Sequence, residues 1–300
     1  MEVCRNESED AIMNHFYIIT NETKDINFET TNRIRNYLQK KGKTCMVRSE
    51  VQNADKTTLR QTLASEIPPE VDCVIVLGGD GTLLRAARNL VNLGLPFLGI
   101  NLGHLGYLTE GDKNNVSDIL ERVIANEYIL EERMMLAGRI TRDDGTVVCE
   151  DVALNDITIN RSRSLKVIKF KVYVNGKFLY LYTADGIVIS TPTGSTAYNL
   201  SCGGPVVEPT ARLFVITPIA PHSLNNRSLI LSAEDRIELE LLGSEKDLDS
   251  QVEYVTYFDG DSAVQLKPGD RIAIERSPHL TKILKLSTMS FLEVLRIKMS

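Results

Sequence analysis

No apolar run in these 300 residues approaches the roughly 18 needed to span a bilayer. Nor is there an excess of positive charge. Lys and Arg number 34 against 40 Asp and Glu, for a net −6, which argues against a general nucleic-acid or anionic-membrane surface. Glu2, Glu7, Glu9 and Asp10 at the start fit neither a secretory signal nor an Arg-rich transit peptide. The five cysteines (Cys4, Cys45, Cys73, Cys149, Cys202) form no CxxC pair, so a disulfide framework is not expected and a reducing cytoplasm is. The histidines His15, His104, His222 and His279 lack metal-ligand spacing, and no protein metal site is expected. Internal repeats and low-complexity tracts are also missing.

What is present reads as two textures. The first half alternates strand and helix signals: Phe16–Ile19, a helix over 25–41 ending at Gly42, Thr44–Val47, a helix over Thr57–Glu66, the apolar strand Val71–Leu77, a helix from Leu83 to about Leu93, Phe97–Ile100, and a helix over Val116–Ala125. Strands separated by helices predict a parallel, doubly wound sheet with ligands at the carboxyl ends of its strands. After about residue 133 the pattern turns to β. Met134–Ile140 and Thr146–Glu150 read as a hairpin, and Lys166–Val174 with Lys177–Tyr182 as another around Asn175-Gly176. Further strands follow at Leu213–Thr217, Arg236–Leu242, Val252–Phe258 and Arg271–Ile274, with Ser244–Gln251 as a loose loop. Phe291–Lys298 looks helical again and is expected to pack back on the first domain.

Four segments carry candidate chemistry. Gly78-Gly79-Asp80-Gly81-Thr82 follows a buried strand and opens a helix, a turn whose crowded amides suit phosphate oxygens. A lone carboxylate there handles a proton or a metal, unless Asp80 is merely the helix N-cap. Asn101–Thr109 is a second glycine-rich loop, one βα unit downstream, and its His104 reads as structural. Asn155-Asp156 interrupts an apolar strand, either as a bulge or to hold a ligand: Asn can read an adenine edge and Asp can grip ribose hydroxyls. Asp185–Tyr198 ends a strand in a hydroxyl-rich loop that suits ribose or phosphate, unless it is a plain Ser/Thr turn. The small Ala197 leaves room for a flat base.

Taken together, Gly78–Thr82, Asn101–Leu108, Asn155-Asp156, Asp185–Tyr198, Gly203-Gly204-Pro205, Thr217–Leu224 and Arg227-Ser228 resemble NAD kinases, in order and spacing, from about residue 71 to 260. The Gly-Gly-Asp-Gly-Thr turn is shared with diacylglycerol and sphingosine kinases, so a lipid kinase and a non-catalytic dinucleotide-binding regulator stand as alternatives. The resemblance implies a Rossmann-like, phosphofructokinase-like α/β nucleotide-binding domain over 1–133, with 287–300 packing back on it. A β-rich NAD-binding and oligomerisation domain follows over 134–286. It implies transfer of the γ-phosphate of ATP to the adenosine 2′-hydroxyl of NAD, giving NADP, with a homodimer or homotetramer as the assembly and Asp185 acting across its interface. Dinucleotide contacts carried over are Asp80, Gly81, Arg85, Asn155, Asp156, Lys166, Thr183, Asp185 and Thr196, Ala197, Tyr198, Asn199, Leu200 and Ser201. One more lies near Val255–Gly260.

The residues supply the reasons. A ribose hydroxyl is a poor nucleophile, so Asp80 is the expected general base. Gly78, Gly79, Gly81 and Thr82 are the expected phosphate cradle. No lysine follows the turn as in a P-loop, which leaves the phosphate charge to amides, to Mg²⁺ bridging phosphate oxygens, and to Arg85.

Overall fold

All six residues of the strand before the glycine turn are buried, as in a parallel strand covered on both faces. The structure, a computed structural model, describes residues 13–50, 64–103, 106–162, 167–222, 227–243, 254–287 and 289–299. It divides into two compact units, Met1–Glu131 with Lys282–Ser300, and Glu132–Thr281.

The first unit runs β1 (His15–Asn21), α1 (Glu29–Lys40), β2 (Thr44–Glu50), β3 (Cys73–Gly78), α2 (Asp80–Asn89), β4 (Pro96–Asn101), β5 (Gly111–Asp112) and α3 (Val116–Ile124). Its strands are parallel in the order β2-β1-β3-β4. Alternate residues of β3 and β4, Ile75, Leu77, Leu98 and Ile100, pack with Ile34 and Leu38 of α1 and with Leu120 and Val123 of α3. Gly99, pointing the other way, leaves room for Leu83 of α2. Helices therefore cover both faces, and the sheet is doubly wound.

Two helix starts differ from the sequence expectation. The predicted 25–41 helix begins only at Glu29, because Asp25 lies outside it and accepts the amides of Thr30 and Thr31 at 2.9 Å each. The helix expected from Leu83 to Leu93 begins at Asp80 and ends at Asn89, followed by a 3₁₀ turn at Val91–Leu93. Most of the expected Thr57–Glu66 helix, and the Ser244–Gln251 loop, lie outside the described residues.

The second unit is almost all strand: β6 (Ile129–Thr141), β7 (Val147–Ala153), β8 (Asp156–Arg161), β9 (Ile168–Val174), β10 (Lys177–Ala184), β11 (Gly186–Ser190), the short α4 (Tyr198–Ser201), β12 (Leu213–Ile219), β13 (Leu229–Ser232), β14 (Ile237–Leu242), β15 (Tyr254–Phe258), β16 (Asp261–Leu266) and β17 (Arg271–Lys285). One antiparallel sheet has the order β13-β12-β11-β8-β15-β16. In the other, β9 lies between β10 and β14, and β14 pairs β17. The two share one core, in which Phe170, Val172, Leu239 and Ile272 meet Ile157, Ile187, Phe214 and Phe258.

The Asn175-Gly176 hairpin forms as expected, with both residues at positive φ, 51° and 74°. β9 is an interior strand of its sheet. The hairpin lays β10 on one side of β9 and β14 takes the other, so the edge falls on β10. β17 begins in the second unit and ends in the first, where Lys282 and Ile283 pair in parallel with Pro96 and Phe97. The last helix, α5 (Phe291–Met299), belongs to the first unit, with Phe291 and Lys298 against Tyr107.

Candidate active site

Asp80 is the first residue of α2 rather than its cap. Gly79 holds the cap position in extended backbone, with no side-chain cap. The carboxylate instead turns to the second glycine-rich loop, where it accepts the amide of Tyr107 at 2.7 Å on Oδ2 and that of Leu108 at 3.1 Å on Oδ1. A side chain on Gly106 would collide with the same oxygen, so only glycine lets loop and carboxylate close on each other. The three glycines of the turn differ in kind. Gly78 is packed against the side chain of Thr82, and Gly79 lies under Lys24, whose Nζ would be 3.3 Å from an added Cβ. An added Cβ on Gly81 meets nothing within 4 Å. Helix geometry leaves the amides of Asp80 and Gly81 without intrahelical partners, whereas the Thr82 amide donates to Gly79 O at 3.0 Å. Thr82 is buried and Asn21 Nδ2 donates to its hydroxyl, tying the end of β1 to the turn; Arg85 is exposed.

In the second unit a cavity of about 460 Å³ is lined by Asn155, Asp156, Ala197, Tyr198, Arg161 and Asp259, among others. That volume lies within the range of small-molecule sites. Asn155-Asp156 does not interrupt a strand, as the sequence suggested. Leu154 and Asn155 form the corner where β7 passes into β8. Asp259, with φ 54° in the β15–β16 turn, accepts three successive amides there: Leu154 at 2.8 Å, Asn155 at 2.7 Å and Asp156 at 3.1 Å. Among the described residues, the side chains of Asn155 and Asp156 have no hydrogen-bond partner. Burial, and then the charge of Asp259, push the Asp156 carboxyl up to about 7.

The hydroxyls of the Thr191–Thr196 loop are spent on the protein itself, because Thr191–Ser195 is buried and buried polar groups require partners. Thr191 Oγ1 donates to Leu154 O at 2.6 Å, and Ser195 Oγ accepts Val207 N–H at 3.0 Å. Thr193 accepts from Arg133 at 3.2 Å, and Thr196 donates back to Thr193 O. Asn199 is likewise engaged, donating to Ser195 O and Pro205 O and accepting from Thr217. Tyr198 is 42% exposed, and burial followed by nearby Cys202 raises its phenol. Asp185 is bound bidentately by Arg161, Nε to Oδ1 and Nη2 to Oδ2, both at 3.0 Å, and so anchors one wall of the cavity. Thr183, Leu200 and Ser201 do not line it. Lys166 and His104 lie outside the described residues.

Family models of the ATP-NAD kinase N-terminal and C-terminal domains match residues 16–128 and 154–286. The chain belongs to the NAD kinase family. It is 43% identical to an NAD kinase of Lachnospira eligens over 96% of this chain and 100% of that one. Against the NAD kinase of Agathobacter rectalis it is 42% identical over 96% and 99%. In fold it is similar to a yeast NADH kinase complexed with NADH, with a TM-score of 0.81, 23% identity, and coverage of 97% and 89%. It is also similar to an NAD kinase from Archaeoglobus fulgidus in complex with ATP, with a TM-score of 0.69, 24% identity, and coverage of 91% and 94%. Family membership places the chain among the kinases that act on an alcohol group.

For an NAD kinase chain the residue that sequence reasoning missed is Asp259. The resemblance puts a contact near Val255–Gly260 without assigning it to a residue, and Asp259 falls within that span. Its signal was the Asp259-Gly260 pair between two strand-like runs, a hairpin turn signature that also forces a positive φ. Arg161 was missed as well, since nothing in its local sequence announces a pairing with Asp185.

Proposed function

We propose that this chain transfers the γ-phosphate of ATP to the adenosine 2′-hydroxyl of NAD, with Asp80 as general base. The observation that carries this reading is the lone carboxylate at the start of α2, held by two amides, with open space at Gly81 beside it. A clasped carboxylate keeps lone pairs for a hydroxyl proton, and its position is fixed before substrate arrives. The amides of the turn, with Gly78, Gly79, Gly81 and Thr82 shaping it, take the phosphates, and Lys24 and Arg85 supply positive charge that the turn itself lacks. A divalent cation would enter with ATP and offset phosphate charge. One carboxylate at the turn fits a cation carried by the nucleotide.

The cavity of the second unit takes the adenosine of NAD. Asn155 offers both a donor and an acceptor to the base, Asp156 faces ribose hydroxyls, and Tyr198 and Ala197 give a flat wall. The carried-over contacts Gly81, Lys166, Thr183, Asp185, Thr196, Asn199, Leu200 and Ser201 belong to the same reading, with Asn199 serving to hold its loop.

The assembly is a homodimer or homotetramer. The exposed apolar residues of edge strand β10, Phe178, Leu179, Tyr180 and Leu181, support a second copy as their cover. Asp185 then acts across that interface, so mixing Asp80→Asn with Asp185→Ala chains under exchange restores activity. A monomer by sedimentation ends that part. The compartment is the cytoplasm, which suits cysteines that form no disulfide among the described residues.

A coupled assay for NADP formation from NAD and ATP–Mg²⁺ tests the whole. Turnover that disappears in Asp80→Asn is expected. No NADP from the intact chain would defeat the reading.

A further inference from the structure

Every backbone polar group of the corner Leu154-Asn155-Asp156 is accounted for. The three amides go to Asp259. Leu154 O accepts from Thr191 Oγ1. Asn155 O accepts the amide of Thr191 at 2.9 Å and the hydroxyl of Ser190 at 3.2 Å. Asp156 O accepts the amide of Asp259 at 2.9 Å. Gly194 presses against this backbone so closely that any side chain there would overlap Asn155. A corner held at all six groups cannot rotate, yet its two polar side chains face the cavity without partners among the described residues. Asp156 among them is 96% buried, with 4% exposure.

We infer that Asp259 is a positioning residue for NAD. Through its amide clasp it fixes the corner that presents Asn155 and Asp156, without itself being the group that carries out the chemistry. This rests on the cavity being the NAD site. The energetic logic is preorganisation: a site whose contact groups are already aimed loses less freedom when the dinucleotide binds. The carboxylate is suited to the task because it accepts three amides with two oxygens, which a carboxamide with one oxygen does not.

The test is Asp259→Asn. Asn tolerates the left-handed φ of 54° that this position requires, so the substitution removes acceptor capacity and charge without straining the turn. The expected result is a rise of about tenfold or more in KM for NAD, with kcat and KM for ATP within about threefold. The acidic limb of the KM(NAD)–pH profile should also move to lower pH, since a repelling charge beside Asp156 is gone. Among the described residues, the other titratable or charged groups near Asp156 or lining the same cavity are Tyr198, Cys202, Tyr257 and Arg161, all unchanged in the variant. A merely structural role predicts instead a lower melting temperature and lower active fraction, with KM for NAD and the pH profile unmoved, and that result overturns the inference.

Should Asp259→Asn fail to fold, Thr191→Val removes another arm of the same clasp at nearly constant volume. A KM rise confined to NAD is again expected, and a loss of melting temperature alone overturns it. Intact protein that makes no NADP would defeat the reading of the cavity. Intact protein that is active while both variants keep a normal KM for NAD would defeat only this inference.

Discussion

Asp80 in the first unit and Asp259 in the second are held alike, each by consecutive backbone amides, yet the two clasps do opposite things. At Asp80 the loop fixes the carboxylate: Tyr107 and Leu108 donate, and the group is left at a helix N-terminus beside an empty glycine position. At Asp259 the carboxylate fixes the loop, and what remains available is the side chains of Asn155 and Asp156. The clasp alone therefore does not identify a reacting group.

The largest effect that can break this contrast is Asp80→Asn. Loss of a general base costs about 10²–10⁴-fold in kcat, with KM for NAD nearly constant, as read in initial-rate kinetics. Full activity would place Asp80 in the same structural class as Asp259.

Next in size, the glycines of the turn should separate. Gly78→Ala pushes a methyl into Thr82 and should destabilise by about 1–3 kcal/mol. Gly81→Ala meets nothing within 4 Å among the described residues, should leave the melting temperature unchanged or higher, and should still raise KM for ATP. Gly81→Ala with normal ATP kinetics would remove the phosphates from this turn.

Asp156 gives a smaller, pH-dependent effect. Its carboxyl is raised to about 7 from 3.8, chiefly by burial, so the folded protein holds that proton more tightly than the unfolded chain. The stability from this group is complete below about pH 4 and is lost as pH rises through about 7, by at most about 4 kcal/mol. Asp156→Asn should gain on the wild type between pH 5 and pH 8 in thermal melts. A difference that is flat with pH would show that Asp156 is ionised throughout. Asn155→Ala is the mildest. With no partner lost among the described residues it should change the melting temperature by under about 1 °C, and raise KM for NAD several-fold, reflecting about 1 kcal/mol of hydrogen bonding.

The sequence carried much of this contrast, and the reasons it fell short are specific. Val116–Ala125 was legible as a helix, observed as Val116–Ile124, because its apolar positions repeat at helical spacing above an empty polar face. The Asn175-Gly176 hairpin was legible because two positive φ values in a row admit few residue pairs. The start of α2 was misplaced by three residues because Gly79 and Gly81 are poor helix formers, and what offsets this is the anchoring of Asp80 by a loop 27 residues away. The corner at Leu154-Asn155 was read as a strand interruption because the carboxylate that shapes it lies 103–105 residues downstream. The hydroxyl-rich loop looked like a ligand surface because composition cannot distinguish a hydroxyl facing a ribose from one capping its own chain. Burial makes that distinction.

The end of β17 has a consequence for how the protein is made. Pro96 and Phe97 of β4 take Lys282 and Ile283 as parallel partners, so this neighbour of β4 is synthesised about 185 residues after it. At translation speeds of about 5–20 residues per second, the ribosome spends roughly 10–40 s between them. Throughout that interval the nascent chain presents an incomplete sheet border, a surface on which chaperones and misfolded neighbours compete. A stop codon shortly after residue 281 would leave that border open for good, even with Asp80 and the entire second unit already translated.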